Sequence, residues 1–355
     1  MTPVEVIQIV PTLPPRAEGV GSFALALAEA LSASSGARSR FLVADRGWSP
    51  PGKSGADARV LPAADPEALR AALSQGGGSP VLLHYAGYGY HPRGCPAWLV
   101  EGLRRWKQTY PERRLVTVFH EVYATGWPWR SSFWLSPVQR RLAGRLAQLS
   151  DGLVTSVGLY GRMLRRRAPY RQVTVLPVFS AVGEPEDVPP LCGRARRLVL
   201  FGGAGTRRRA YERLEGALAN ACRALDVEEV CDVGPPGPTP GRVAERPVRR
   251  LGPLPAGAVR GLLRESLAGF VAYPAALLAK STIFAAYCAH GLLPVSAWDR
   301  PRRRTDPPPP YWPPRPEAPG RDELQGIADR ARTWYAGHAL ASHTALYREL
   351  LACAS

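Results

Sequence analysis

The sequence predicts an α/β protein built from two doubly wound domains, and two observations lead to this fold class. Short, apolar, β-branched runs alternate with helix-length segments, which is the pattern of parallel sheets covered by helices on both faces. Near the middle of the chain, residues 177–194 (PVFSAVGEPEDVPPLCGR) interrupt the alternation with proline, glycine and acid. The 355 residues are enough for two domains of ordinary size.

The net charge indicates which partners are compatible with the chain. Its formal charge is +17, and Lys53, Lys107 and Lys280 are its only lysines, so arginine supplies nearly all of the positive charge. Arginine is well suited to phosphate, and a basic protein can meet nucleotide, anionic lipid or nucleic acid. The alternative is a solvated basic surface. No nucleic-acid motif with interleaved aromatic residues is visible, so we expect no nucleic-acid partner.

Cysteine usage and hydropathy indicate a cytoplasmic protein. The six cysteines have no metal-like spacing and are expected to be reduced. The N-terminus lacks the pattern of an export signal, and no apolar run has the length of a membrane span. The sequence also lacks a Ser-His-Asp signature, a metal-ligand cluster and a Walker phosphate loop, so no metal site is predicted.

The first half of the chain supplies the strands and helices of one sheet. The run VEVIQIV at residues 4–10 is nearly continuous and β-branched, as in a strand buried on both faces. Further apolar strands are predicted at residues 40–44, 58–61, 80–84, 115–119, 152–156 and 172–176. Periodicity predicts helices after residue 23 and at residues 66–73, 98–110 and 137–149.

A glycine-containing loop, EGVGSF at residues 18–23, joins the first strand to an alanine-rich helix. Such a loop can bind an anion, because free N–H groups and the helix dipole attract negative charge at a helix N-terminus. The alternative is that Gly19 and Gly21 only allow the helix to pack closely on the sheet.

Two strand ends in the first half carry residues suited to a ligand. The aromatic and glycine residues of HYAGYGY at residues 84–90 can stack on a sugar or simply shape a loop. His120 and Glu121 follow the strand at residues 115–119 and are the candidate catalytic pair. Histidine can exchange a proton or bind a sugar hydroxyl near neutral pH, and Glu121 can orient it. A purely structural His120 is the alternative.

Arginines and tryptophans are concentrated after residue 124. Trp127, Trp129 and Trp134 lie in a segment predicted to be an ordered loop. The helices that follow carry seven arginines: Arg140, Arg141, Arg145, Arg162, Arg165, Arg166 and Arg167. A basic, partly aromatic face of this kind can rest on an anionic membrane, and solvated arginines are the alternative.

The second half begins with a strand at residues 197–201 and the loop GGAGTRRR at residues 202–209. Glycines followed by arginines between a strand and a helix suit a phosphate, and the candidate residues are Gly203, Gly205, Arg207 and Arg208. A packed turn with surface arginines is the alternative. Further strands are predicted at residues 229–233 and 248–251, with a helix at residues 255–266.

Residues 269–296 form a complete βαβ unit in the prediction, with strands at residues 269–273 and 292–296 and a helix at residues 282–290. Ser281 is the expected N-cap, and Gly291 is well placed to end the helix. Lys280 and Ser281 therefore lie at a helix N-terminus, where a lysine strengthens an anion site. The alternative is a capping serine and a solvated lysine that bind no ligand.

The end of the chain combines a proline-rich segment with helices. Residues 301–319 are dense in proline and are predicted to be loop or polyproline II structure. Residues 321–353 are predicted to be helical.

Several of these segments together resemble the GT-B glycosyltransferases, particularly the retaining family 4 group. The order strand, loop, helix, Gly291 and Pro294-Val295 is similar to the donor-binding segment of that family. The loops at residues 18–23 and 202–209 and the C-terminal helices resemble further parts of it. The family usually carries two glutamates spaced by seven residues, and Leu278 and Ala286 stand at those positions here.

The resemblance implies a domain organisation of the GT-B type. It consists of an acceptor-side Rossmann-like domain (1–180), a linker (181–196) and a nucleotide-sugar-binding Rossmann-like domain (197–320). These two domains would face a cleft, and C-terminal helices (321–355) would cross back to the first domain.

The implied function is transfer of a sugar from a nucleotide diphosphate sugar to a hydroxyl of a small-molecule, glycan or lipid-linked acceptor. No cofactor or metal is implied besides the donor substrate, and retention of configuration is implied by the family 4 likeness. The donor would contact Gly19, Gly21, Gly203, Gly205, Arg207, Arg208, Lys280 and Ser281, and His120 and Glu121 would hold the sugar or the acceptor. The alternatives are an inactive GT-B scaffold that binds an active transferase, and a basic nucleic-acid-binding protein.

Overall fold

The computed structural model of the chain describes residues 5–15, 19–50, 57–124, 131–297, 307–317 and 320–352. Contacts divide the protein into two compact units. The first domain comprises Met1–Pro177 together with Leu340–Ser355, and the second domain comprises Val178–Ala339.

The first domain contains a seven-stranded sheet with the order β3-β2-β1-β4-β5-β6-β7. Its strands are β1 (Glu5–Val10), β2 (Arg38–Val43), β3 (Asp57–Val60), β4 (Val81–Tyr85), β5 (Leu115–Phe119), β6 (Gly152–Thr155) and β7 (Val173–Val175). All neighbouring strands pair in parallel. The order reverses direction between β1 and β4, which is where open α/β sheets bind ligands at the carboxyl ends of their strands.

Six helices precede the boundary between the domains: α1 (Gly19–Ser35), α2 (Pro66–Ser74), α3 (Gly87–Tyr90), α4 (Ala97–Thr109), α5 (Ser131–Leu149) and α6 (Gly158–Arg165). The fully buried side chains of Tyr85, Trp106 and Phe119 belong to one large apolar cluster of this domain. The apolar runs that form β1, β4, β5 and β6 are therefore buried as the pattern indicates, whereas β3 alternates between exposed and half-buried residues.

The second domain contains a six-stranded sheet with the order β10-β11-β9-β8-β12-β13. Its strands are β8 (Ala195–Phe201), β9 (Glu229–Val233), β10 (Arg242–Val243), β11 (Arg246–Gly252), β12 (Ser266–Phe270) and β13 (Leu293–Val295). The pairs are parallel except for the β10–β11 hairpin. The order of this sheet reverses between β8 and β12.

The helices of the second half are α7 (Ala204–Arg213), α8 (Glu215–Ala224), α9 (Ala256–Glu265), α10 (Thr282–Ala289), α11 (Arg321–Ala336) and α12 (Leu340–Leu351). A six-residue 3₁₀ helix, Ala275–Lys280, precedes α10. In the proline-rich segment, the buried Trp312 forms a parallel bridge with Val295.

Several predicted boundaries are confirmed and others need correction. The strands at residues 115–119 and 229–233 have the predicted bounds. The glycine loops are shorter than expected, because α1 begins at Gly19 and α7 begins at Ala204. Only α12 belongs to the first domain and contacts α1, whereas α11 belongs to the second domain and contacts α10. The predicted motif residues Glu18, Trp127 and Trp129 and much of the proline-rich segment lie outside the described residues.

Candidate functional site

The turn between β8 and α7 is an open helix N-terminus. Gly202 has φ +129°, a conformation that favours glycine, and Gly203 is the N-cap residue. Because Gly203 has no side chain, the first-turn N–H groups of α7 receive no capping bond from it. A Cβ atom built on Gly203 or Gly205 would have no heavy atom within 4 Å. The turn therefore leaves room for a ligand beside its backbone.

The guanidinium of Arg207, one of the predicted donor contacts, lies inside the domain. The Arg207 side chain is 3% exposed, and it forms an ion pair with Asp232, which is 4% exposed. Its Nε donates to the Gly202 carbonyl at 2.9 Å, and its Nη2 donates to the Pro235 carbonyl. Tyr211 donates its hydroxyl to the second oxygen of Asp232 at 2.7 Å. Arg207 thus ties the turn after β8 to the loop after β9.

Of the three adjacent arginines at the start of α7, Arg208 and Arg209 remain outside the core. The Arg208 side chain is 58% exposed and approaches Glu212 at 3.9 Å, which is a weak surface ion pair. Arg209 is half-buried and donates from Nε to the Gly205 carbonyl at 3.1 Å. Arg208 is therefore the arginine of this loop that can turn towards an anion without breaking a buried contact.

The second helix N-terminus belongs to α10 and has the predicted cap. The Ser281 hydroxyl accepts from the backbone N–H of Phe284 at 3.2 Å. Lys280 directly precedes this cap and is half-buried. Gly291 follows the helix with φ +62°, as expected for a residue that ends a helix. Leu278 and Ala286, at the positions where the family 4 resemblance expects glutamates, are both fully buried.

The two helix N-termini of the second domain lie against each other. A Cβ atom built on Gly202 would lie 2.4 Å from Cδ1 of Ile283, which is in the first turn of α10. A Cβ atom on Gly234, after β9, would lie 2.1 Å from the Gly202 carbonyl oxygen. The Tyr287 hydroxyl of α10 accepts from the Phe201 N–H at 3.2 Å and donates to the Val199 carbonyl at 3.0 Å. Three loops therefore meet at the carboxyl edge of the second sheet, at its reversal point.

In the first domain, the two predicted glycines start α1 and have different surroundings. A Cβ atom on Gly21 would lie 2.4 Å from the Thr12 carbonyl oxygen, so only glycine permits this close contact between helix and loop. Among the residues that the structure describes, none has a heavy atom within 4 Å of a Cβ atom built on Gly19. Gly21 thus has the packing role that was the alternative for this loop.

His120 and Glu121 follow β5 as predicted and are both half-buried. The backbone N–H groups of both residues donate to the Tyr85 carbonyl, at 3.0 and 3.4 Å. Nε2 of His120 lies 3.3 Å from Nδ1 of His84 on β4, and the two rings are stacked. The structure therefore joins the two strand ends that the sequence analysis treated separately.

The sequence analysis missed Gln8 and assigned His84 only to a strand end, without its contact to His120. His84 Nε2 lies 2.8 Å from Oε1 of Gln8, and Gln8 donates from Nε2 to the Ser39 hydroxyl at 2.8 Å. Burial, with a smaller contribution from the neighbouring His120, lowers the pKa of His84 well below its usual range. Polar residues inside the apolar runs VEVIQIV and VLLHY were the signal that could have identified them.

Within the described parts of the chain, no group of three or more His, Cys, Asp or Glu side chains is arranged to hold a metal ion. No described helix combines the length and the hydropathy needed to cross a membrane.

No protein-family model and no curated protein sequence matches this chain. Solved structures do match it. HepE of Anabaena, in complex with UDP and glucose, matches with a TM-score of 0.64 and 11% identity over 98% of this chain and 99% of that chain. An α-glucosyltransferase in complex with UDP matches with a TM-score of 0.62 and 10% identity over 98% and 99% of the two chains. A structure titled α-glucosyltransferase with UDP and a 13-mer DNA also matches, with a TM-score of 0.57 and 10% identity over the same shares.

These matches extend over nearly the whole of each chain at very low identity, so they bear on the fold. The α/β architecture with two parallel-dominated sheets agrees with that of those structures. The chain therefore has the fold of the GT-B glycosyltransferases.

Proposed function

We propose that this protein transfers a sugar from a nucleotide diphosphate sugar to an acceptor hydroxyl. The observation that carries this proposal is the meeting of two helix N-termini at the reversal point of the second sheet, where Gly202 contacts Ile283. The similarity to structures that hold UDP supports it, because those proteins share the same fold.

The donor diphosphate would lie at the two helix N-termini of the second domain. First-turn N–H groups of α7 and α10, the half-buried Lys280 and the exposed Arg208 would neutralise the charge that develops on the leaving diphosphate. Gly203 and Gly205 would let the phosphates approach the backbone, and Ser281 would keep α10 capped. Arg207 would act indirectly, by holding the turn in shape.

In the first domain, we assign His120 and Glu121 to the transferred sugar or the acceptor hydroxyl, and Gly19 to the open side of the α1 N-terminus. This assignment rests on the position of His120 and Glu121 after β5, which pairs with β4, and of Gly19 after β1, with the reversal of the sheet between β1 and β4. We propose retention of configuration on the basis of the family 4 resemblance, and a reaction in which side chains and helix dipoles, with no metal ion, stabilise the leaving group.

The direct test is hydrolysis or transfer measured across a panel of UDP-, GDP- and dTDP-sugars. Turnover of at least one donor is expected, and the anomeric configuration of the product reports retention or inversion. Binding of nucleotide diphosphates without turnover of any donor would favour the inactive scaffold. Absence of both binding and turnover would remove the transferase proposal.

Lys280→Ala and Arg208→Ala test the donor residues by titration with nucleotide diphosphate. Each variant removes a charge-assisted contact, so each is expected to weaken binding by about 1.5–3 kcal/mol. Arg223→Ala is the matched control. Arg223 is an exposed arginine of α8 whose guanidinium donates to the side chain of Asn220 on the same helix. An affinity of Lys280→Ala equal to that of the control would exclude Lys280 from the site.

We further propose that the acceptor is reached at an anionic membrane surface. Residues 131–176 contain eight arginines and one acid, Asp151, which pairs with Lys107 at 2.7 Å. On α5, Trp134 (72% exposed) and Val138 (49% exposed) lie on the same face of the helix as the exposed Arg141 and Arg145, because the four positions are three or four residues apart.

The same surface extends beyond α6. The side chain of Arg167 lies beside Gly144 of α5, and Tyr170 is 99% exposed. Arginines together with exposed aromatic and aliphatic side chains are the composition of a membrane-surface contact. We call the surface formed by Trp134, Val138, Arg141, Arg145, Arg167 and Tyr170 the basic face.

Co-sedimentation with phosphatidylglycerol and phosphatidylcholine vesicles tests the basic face. Arg141→Ala/Arg145→Ala is expected to weaken binding to the anionic vesicles by about 2 kcal/mol, at about 1 kcal/mol for each charge. Arg38→Ala/Arg59→Ala makes the same change in net charge at exposed positions of β2 and β3 and is the control. Tight, steeply salt-dependent binding to duplex DNA without vesicle binding would favour a nucleic-acid partner instead.

A further inference from the structure

Two fully buried polar side chains lie in the centre of the first sheet. Gln8 on β1 and His84 on β4 are both 0% exposed, although the other buried residues of the two strands are aliphatic or aromatic. Burial of polar groups is costly unless they are hydrogen-bonded, and these two are bonded to each other. Their bonds form a continuous series from Ser39 through Gln8 and His84 to His120.

The direction of the hydrogen bonds follows from the chemistry of each group. The Gln8 amide directs its nitrogen to Ser39 and its oxygen to His84. An amide oxygen only accepts, so Nε2 of His84 carries a proton. A neutral imidazole has a single N–H, and burial keeps His84 neutral, so Nδ1 of His84 has a lone pair.

The same reasoning continues one step further, to His120. Nδ1 of His84 accepts, so Nε2 of His120 must donate across the 3.3 Å that separates the two nitrogens. In its neutral form His120 then has its lone pair on Nδ1. This arrangement is unchanged when His120 gains a proton, since that proton binds at Nδ1.

The ring of Phe23 packs edge-on against both imidazoles. Its centroid lies 5.2 Å from that of His120 and 5.9 Å from that of His84, with interplanar angles of 81° and 69°. Contacts of this kind restrict ring rotation, so both the tautomer and the orientation of His120 are held from behind.

We propose that Gln8 and His84 are positioning residues that hold His120 with its Nε2 proton turned into the domain and its lone pair on Nδ1, the orientation in which it would meet a bound sugar or acceptor hydroxyl. Neither residue would touch the ligand. The identity of that ligand rests on the proposed glycosyl transfer, whereas the hydrogen-bond series does not.

The series can be tested by NMR on protein labelled with ¹⁵N-histidine and free of any donor. We expect one proton attached to Nε2 of His120, with a through-hydrogen-bond coupling to Nδ1 of His84. The six histidines are assigned from single substitutions. A proton attached to Nδ1 of His84, or no coupling between the two rings, would overturn the proposal.

Gln8→Leu is the most informative variant, because Gln8 has no bond to His120. It is expected to abolish the coupling and to speed exchange of the His120 ring proton with water. His84→Phe should do the same, and His84→Asn, which keeps an acceptor near the position of Nδ1, should partly restore slow exchange. Thr117→Val is the control, since it breaks a different buried pair of this domain, Thr117–Ser150 at 2.7 Å. Loss of the coupling in the control as well would indicate a general structural effect and contradict the proposal.

Enzyme activity is a second measurement, and it distinguishes failure of the positioning role from failure of the proposed transferase function. With a donor that is turned over, Gln8→Leu and His84→Phe are expected to lower kcat about tenfold while the donor KM is retained, as for groups that orient a functional histidine. Coupling without turnover of any donor would refute the transferase function and keep the positioning role of the series. Turnover with unchanged kcat in both variants would refute the positioning role.

Discussion

Replacement of Arg207 by methionine is expected to lower the unfolding free energy of the second domain by about 3–5 kcal/mol. The substitution removes a charge that is only 3% exposed and leaves the buried Asp232 carboxylate with the Tyr211 hydroxyl as its remaining side-chain partner. The Gly202 and Pro235 carbonyls lose their donors at the same time. Removing one member of a buried ion pair leaves an uncompensated charge, which is the source of the cost.

A double-mutant cycle can separate the part of this free-energy loss that comes from the Arg207–Asp232 ion pair. Asp232→Asn keeps the shape of the side chain, and Arg207 keeps its two carbonyl acceptors, so the loss should lie near the lower end of the range. Arg207→Met/Asp232→Leu replaces the whole pair by apolar groups and should be more stable than Arg207→Met alone. A coupling energy near zero would show that the two charges do not interact as the geometry indicates.

Urea unfolding, with hydrogen exchange to identify the domain that unfolds, measures these changes. Arg208→Met is the matched control: Arg208 is 58% exposed, so its replacement should change stability by no more than about 0.5 kcal/mol. If Arg207→Met unfolded at the same urea concentration as Arg208→Met and lost affinity for nucleotide diphosphate, Arg207 would be a direct ligand. The internal role assigned to it here would then be wrong.

Three further predictions concern the fold of the second domain. Ser281→Ala removes the N-cap of α10 and should cost about 1 kcal/mol in the free energy of unfolding, and no loss in urea unfolding would mean that the cap is not needed. Gly269→Ala should cost about 1–3 kcal/mol, because the new methyl would lie 2.6 Å from the Tyr287 ring, whereas Gly261→Ala has open space and should be neutral or stabilising in the same assay. Burial lowers the pKa of the fully buried His290 to about 4. As the pH falls, the imidazole therefore becomes protonated in the unfolded chain near pH 6.5, before it does so in the folded protein. Stability contributed by neutral His290 should be present above that pH and be lost as the pH falls towards about 4, and His290→Asn should flatten the profile of unfolding free energy against pH.

The strands and the α10 cap could be predicted because each depends on a local pattern. β5 is a short apolar run with clear ends, β9 (EVCDV) places an acid between buried apolar residues, and Ser281 and Gly291 are residues preferred at the two ends of a helix. A fully buried strand and a capped helix are specified by residues that are close in sequence, so a single sequence contains the information.

The buried environment of Arg207 could not be predicted from the local sequence. It depends on the residue at which α7 begins, which decides the face of the helix that is buried, and on a partner in a distant strand. With α7 starting at Ala204, residues 207, 210 and 211 share the buried face, and the partner Asp232 lies on β9. The three adjacent arginines of RRR look equivalent in sequence. The spacing to Ala210 and Tyr211, and a single acid inside the apolar run of β9, were the signals that distinguish Arg207 from its neighbours.

The packing of α10 explains why the two glutamate positions of the family 4 pattern carry Leu278 and Ala286. Both side chains are fully buried, and every residue of α10 from Phe284 to its end is buried as well. A carboxylate at either position would lose its hydration without an evident cation, at a cost that buried unpaired charges do not recover. The polar groups of this helix that are not buried are therefore confined to its first turn and to Lys280. In the proposed function these groups would meet a phosphate, which needs no carboxylate. If that proposal holds, discrimination among sugars and bases would come from residues outside α10.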